Sequence, residues 1–166
     1  MRSDSRGVIR RFGPAVASLF LGAAVSGCST YSFVAQLWNV SIQTESVTLS
    51  AAPNVNRDFP VAVDMVAVQE KAFAQALADT TASTWFNQKA TFLANNPKTI
   101  NVRSFEVVPG QTIDGIDYSW GDRRSYTAIF VFADYLAPGP HRIRVGKFDN
   151  PTVVLGPETL EVSKAD

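Results

Sequence analysis

Cysteine and histidine are nearly missing from this 166-residue chain, each occurring once, as Cys28 and His141. A single cysteine excludes an internal disulfide, a cysteine-rich zinc site and an iron–sulfur centre. A single histidine excludes a multi-histidine metal site and leaves one imidazole for general-base chemistry. Charge is sparse at 18%, against 46% hydrophobic residues, which is the composition of a folded domain and not of a disordered one. The length suits about one domain. No Gly-rich phosphate loop and no nucleophile elbow is present. Formal net charge is zero. Residues 1–27 hold four Arg and one Asp, however, so the remainder has 11 basic and 14 acidic residues, a balance of about −3. A mildly acidic body lacks the basic footprint that nucleic-acid binding requires.

The first thirty residues read as an address. Arg2, Arg6, Arg10 and Arg11 form a positive leader, and Phe12 to Val25 is an apolar stretch. At about fourteen residues it is too short for a bilayer-crossing helix of about twenty and fits the core of a signal sequence. Val25-Ser26-Gly27-Cys28 follows and resembles a bacterial lipobox, with Val where Leu is usual. Residues 1–27 are expected to be cleaved and Cys28 to be lipidated, which disposes of a thiol that would otherwise be reactive in an exported chain. Ser29, not Asp, follows the cysteine, a pattern that in such lipoproteins resembles sorting to the outer membrane. Several acyl chains anchor stably where one is marginal. Residues 28–40 then serve as lipidated N-terminus and tether, with Phe33, Leu37 and Trp38 rather apolar for a free linker. Residues 41–166 form the body.

The body reads as strands interrupted by one helical insert. Ile42–Ser50 is a Thr/Val-rich strand, and Ala51–Phe59, with Pro53, Asn54, Asn56 and Asp58, is a loop. Val61–Val68 is apolar on both faces apart from Asp64, as a central strand is. Residues 70–94 change period and predict two short helices. The first has Phe73, Ala76 and Leu77 at helical spacing. The second, capped by Ser83 or Thr84, carries Trp85, Phe86, Ala90, Phe92 and Leu93. From Lys98 the alternation resumes, and its parity changes between Val102 and Phe105, as a bulge near Arg103 would produce. Ile113–Trp120, Ser125–Tyr135, His141–Phe148, Thr152–Leu155 and Thr159–Val162 complete about seven or eight strands, the spacing of a mainly β, two-sheet sandwich. Tyr126, Ala128, Phe130 and Phe132 share one face of the most strongly patterned strand.

Candidate chemistry is thin. His141, between Pro140 and Arg142, reads as an exposed turn histidine. Asp114 and Asp117 read as solvated turn residues, and with Asp122 they offer too few fixed oxygens for calcium. Arg142 and Arg144 share a strand face, with Arg123 and Arg124 as candidate neighbours. They read as a solvated face, or as a site for an anion. Trp85 has core spacing, whereas Trp120 beside a turn is the candidate for an exposed, stacking surface. The loop Asn54, Val55, Asn56, Arg57 and Asp58 joins two adjacent strands, and loops on a rigid sandwich commonly carry recognition. Deletion of residues 53–58 is expected to spare the fold and abolish partner binding.

The order of these features resembles a known family. A lipobox precedes a strand and an Asn-containing loop. A Pro60-Val61-Ala62-Val63 strand follows, then a Phe-rich helical insert, a strand ending at Pro109-Gly110, and the long aromatic strand Tyr126–Phe132. Over residues 20–148 this order is similar to the outer-membrane lipoproteins of type VI secretion systems, of the TssJ or SciN type. Ala133-Asp134-Tyr135 and His141-Arg142 stand where that family often carries an Arg and a Trp-Arg pair. The resemblance implies a transthyretin-like sandwich with an added helical element, anchored on the periplasmic face of the outer membrane. It implies a structural role: binding the periplasmic C-terminal part of the large inner-membrane component through the first loop, Asn54 to Asp58. No catalysis and no cofactor follow from it. A stand-alone periplasmic ligand-binding or envelope-maintenance lipoprotein on a similar sandwich is the alternative, and a deep pocket lined by Trp120 and arginines would favour it.

Overall fold

The computed structural model describes Ile42, residues 44–117 and residues 126–163. The predicted signal sequence, Cys28, the tether, Trp120, Asp122, Arg123 and Arg124 lie outside the described residues. Within them the elements run β1 (Ser46–Ala51), β2 (Val61–Val68), α1 (Lys71–Asp79), α2 (Ala82–Asn95), β3 (Ile100–Val107), β4 (Thr112–Asp117), β5 (Ala128–Asp134), β6 (Arg142–Arg144), β7 (Thr152–Leu155) and β8 (Leu160–Ser163). One sheet has the order β4-β1-β7-β8 and the other β3-β2-β5-β6. The expected two-sheet sandwich with a short helical insert is the fold observed.

Two apolar layers hold it together. Between the sheets, Val47 and Leu49 of β1 and Val153 and Leu155 of β7 meet Val61, Val63 and Met65 of β2 and Ile129 and Val131 of β5. The opposite face of the second sheet carries Val66, Val68, Phe130 and Phe132, and α1 and α2 cover it with Leu77 and Trp85. That is why β2 is apolar on both faces. Each large side chain so buried contributes about 1.5–3 kcal/mol.

The helical faces differ slightly from the sequence reading. On α1, Ala74 is buried and Ala76 exposed; on α2, Ala90 is exposed and Ala82 is buried. The cap of α2 is Thr81, whose hydroxyl accepts from the Thr84 backbone N–H at 3.1 Å, and not Ser83 or Thr84. A threonine outside the first turn satisfies an orphan donor that one inside it cannot reach.

The expected bulge near Arg103 is not there. β3 pairs with β2 in unbroken register from Val61↔Val107 to Val68↔Ile100. Its parity changes because its two ends are covered on opposite faces. Ile100 and Val102 lie in the helix-covered layer, whereas Phe105 and Val107 face the other sheet. The ladder shifts instead between β1 and β4, where Val47 pairs with Ile116 and Leu49 with Ile113. Gly115 sits in that shift at φ +60°, the left-handed conformation such a bulge commonly needs. Asp114 and Asp117 therefore flank a bulge within a strand and are not in a turn.

Candidate functional site

The first loop is built as a rigid cap. Val55 is fully buried, and Val55–Asp58 forms a tight turn in which Asn56 and Arg57 are not helical. Asn56, Arg57 and Asp58 all have positive φ, at +48°, +59° and +66°. Asn tolerates this region, but Arg does so only when its surroundings impose it. The imposing group is the Asn56 carboxamide, which is 4% exposed. Its Nδ2 donates to the Pro60 carbonyl at 3.1 Å, and its Oδ1 accepts from the Leu136 N–H at 2.7 Å. The Asn56 N–H donates to the Pro157 carbonyl, the Ala52 N–H to Leu155 and the Gly110 N–H to Ala52. The β1–β2, β3–β4, β5–β6 and β7–β8 connections are thus tied into one end of the sandwich.

Of the five predicted loop residues, Asn54, Arg57 and Asp58 are exposed, while Val55 and Asn56 face inward. The expectation that residues 53–58 can be deleted without cost to the fold is therefore corrected, since the deletion removes both inward anchors. Arg57 lies 3.9 Å from Glu158, both exposed, an ion pair worth little. Phe59, Val108 and Leu136, exposed by 60%, 46% and 61%, are the large hydrophobics most open to water among the described residues, and all three belong to this end. The chain enters at the other end. There the Thr44 hydroxyl lies 2.9 and 2.6 Å from the Val145 and Phe148 carbonyls, and the Ser46 N–H donates to Asn150.

The remaining candidates are structural in their geometry. His141 is buried, not exposed as expected, with Nε2 2.8 Å from the Ala137 carbonyl and its ring 4.6 Å from that of Tyr135. The Pro138–Pro140 turn closes over it, and a Cβ at Gly139 would stand 2.7 Å from its Nε2. The Tyr135 hydroxyl reaches the Gly156 and Thr159 carbonyls, and burial holds it un-ionised well above the usual phenol range. Arg142 donates to the Thr80 carbonyl at 2.7 Å and Arg144 to Thr127 at 2.9 Å. Burial lowers the pKa of Arg144. Both guanidiniums hold backbone in place and do not form a solvated face. Asp114 and Asp117 are exposed, and among the described residues no three His, Cys, Asp or Glu side chains gather as a metal site. No helix there is long and apolar enough to cross a membrane.

Asp64 is the polar group the sequence left unexplained. It is buried, accepts from Trp85 Nε1 at 2.8 Å and pairs with Lys89 Nζ at 2.8 Å. Lys89 also donates to Ser104 at 2.8 Å. Trp85 stacks between Phe92 and Phe132, with centroids at 5.5 and 5.1 Å. The signal was present, as a lone Asp on an apolar strand and a Trp and Lys four apart on a helix.

No known sequence family and no curated protein matches the chain by sequence. Solved structures do match its fold. The chain is similar to Serratia marcescens Lip, a membrane-bound component of the type VI secretion system, with TM-score 0.53 at 16% identity over 74% of this chain and 96% of that one. It is similar to the type VI lipoprotein TssJ1 from Pseudomonas aeruginosa, with TM-score 0.51 at 16% identity over 72% and 94%. A chain of a type VI membrane complex gives TM-score 0.56 at 15% identity over 73% and 99%. At these identities the likeness is one of fold, and each of those chains is spanned over nearly its whole length.

Proposed function

We propose that this protein is a structural lipoprotein of a type VI secretion envelope complex. In this reading it is anchored through Cys28 on the periplasmic face of the outer membrane and binds the periplasmic part of the large inner-membrane component. The observation that carries the reading is the fold: a sandwich with its helical layer on one sheet, matching type VI secretion chains from end to end. The lipobox-like Val25–Cys28 supports the anchor independently.

The disposition of the ends is what such a role requires. The anchored segment enters at the Thr44–Ser46 end, and the first loop leaves the far end of β1, about 20 Å away for six residues of strand. A rigid loop with exposed Asn54, Arg57 and Asp58 suits protein recognition, because little ordering entropy is lost on docking. The role is one of binding and needs neither cofactor nor catalytic group. Cys28→Ser tests the anchor: the variant is expected in the soluble fraction, and fractionation with membranes as wild type would contradict it. Arg57→Ala/Asp58→Ala, which leaves Val55 and Asn56 in place, tests the loop. It is expected to weaken capture of the inner-membrane component while the melting temperature stays within about 2 °C.

A further inference from the structure

The helical layer does not cover the whole outer face of its sheet. Along β2 that face presents Val68, Val66, Asp64 and Ala62 in turn. Val68 and Val66 lie under the helices, and Asp64 is sealed by Trp85 and Lys89. Ala62 is exposed. In the ladder it pairs with Glu106 of β3 on one side and Asp134 of β5 on the other. Directly paired residues share a face about 5 Å apart, so two exposed carboxylates flank one methyl group. Phe59 and Leu136 stand over the same space, an open trough of about 780 Å³.

The charge of this trough is one-sided. No Lys, Arg or His lines it. Lys89, whose ammonium reaches Ser104 on its wall, is committed to Asp64. No ion pair forms on Glu106 or Asp134 among the described residues. Desolvation raises the pKa of Asp134 even though His141 acts to lower it. Exposed aromatic and aliphatic surface beside unneutralised carboxylates complements one kind of occupant, an apolar side chain next to a cation.

We propose that the Glu106–Ala62–Asp134 trough receives a basic, apolar segment of the protein partner, with a Lys or Arg seated over Ala62 between the two carboxylates and a large apolar side chain held between Phe59 and Leu136. This rests on the proposed function for the partner's identity and adds the chemistry by which it is held, at Phe59, Ala62, Glu106, Asp134 and Leu136 beside the exposed Asn54, Arg57 and Asp58.

The test is the affinity of the full-chain lipoprotein, in detergent, for the purified inner-membrane component at 50 and 300 mM salt. Glu106→Gln/Asp134→Asn is expected to weaken binding about tenfold at low salt and to remove most of its salt dependence. Glu106→Gln alone, at an exposed position, gives a loss of about threefold with no burden on folding. Ala62→Trp, filling the trough, abolishes binding with an unchanged circular dichroism spectrum. Glu161→Gln, on the other sheet, changes nothing. If wild type binds and the trough variants bind within twofold of it, the trough is not the site. Arg57→Ala/Asp58→Ala weakening binding in that case would leave the proposed function standing on the loop alone. If wild type does not bind the component at all, the proposed function falls and this proposal with it.

Discussion

Asn56 occupies a position that few residues can fill. It must adopt positive φ, point inward and offer both a donor and an acceptor within one short side chain. Asn56→Ala leaves the part-buried Leu136 N–H and Pro60 carbonyl without their partner and keeps the strained backbone. It is expected to cost about 2 kcal/mol, read as a shift in denaturant midpoint at unchanged slope. A glycine there restores only the backbone, so Asn56→Gly should fall between the two. Asp134 illustrates the opposite situation, an ionised group the fold holds at a cost. Its folded pKa is raised, so the carboxylate destabilises the fold once the pH exceeds that pKa, and contributes nothing below its unfolded pKa. Asp134→Asn should therefore melt no lower than wild type at pH 7, and its advantage should vanish near pH 3. A lower melting temperature at pH 7 would show that the carboxylate makes a favourable contact. At Gly115, φ +60° with open space around the missing Cβ makes the requirement purely conformational, and Gly115→Ala should cost about 1 kcal/mol.

At the scale of elements, the helical insert is bolted to the sheet by one polar constellation within an aromatic layer. Lys89→Met strands the Asp64 carboxylate, 1% exposed, beneath Trp85. A loss of about 3 kcal/mol is expected. In Asp64→Asn/Lys89→Met the amide still accepts from Trp85 and no charge is buried, so at least half of that loss should return. If the double variant is no more stable than Lys89→Met, the cost is lost packing of the lysine stem. These elements also show what a sequence declares and what it withholds. β2 was legible to the residue, because apolar side chains on both faces can belong only to a strand covered on both sides. The parity change in β3 was legible as a fact and misread as a bulge, because one sequence cannot say that a strand's two ends are covered by different layers. His141 was misplaced for a related reason. Its burial depends on Tyr135 and on a turn closed by the glycine between Pro138 and Pro140, and no local pattern specifies that closure. The first loop was found by its composition, but its inward anchors were not, since Leu136 and Pro157 lie far along the chain. The trough was out of reach as well: Ala62, Glu106 and Asp134 meet only through strand register.

Across the whole molecule, the two ends of the sandwich differ in kind. One receives the chain that leads back to Cys28. The other gathers four connections, the exposed apolar residues Phe59, Val108 and Leu136, and the uncovered acidic row. This polarity suits the proposed bridge between an anchored membrane and a periplasmic partner. The most direct test is capture of partners by the tagged protein from detergent-solubilised membranes of cells expressing the secretion genes, with identification by mass spectrometry. Recovery of the large inner-membrane component with its periplasmic domain, reduced by Arg57→Ala/Asp58→Ala, is the predicted result. Absence of that component from the wild-type capture, in cells shown to contain it, would contradict the account.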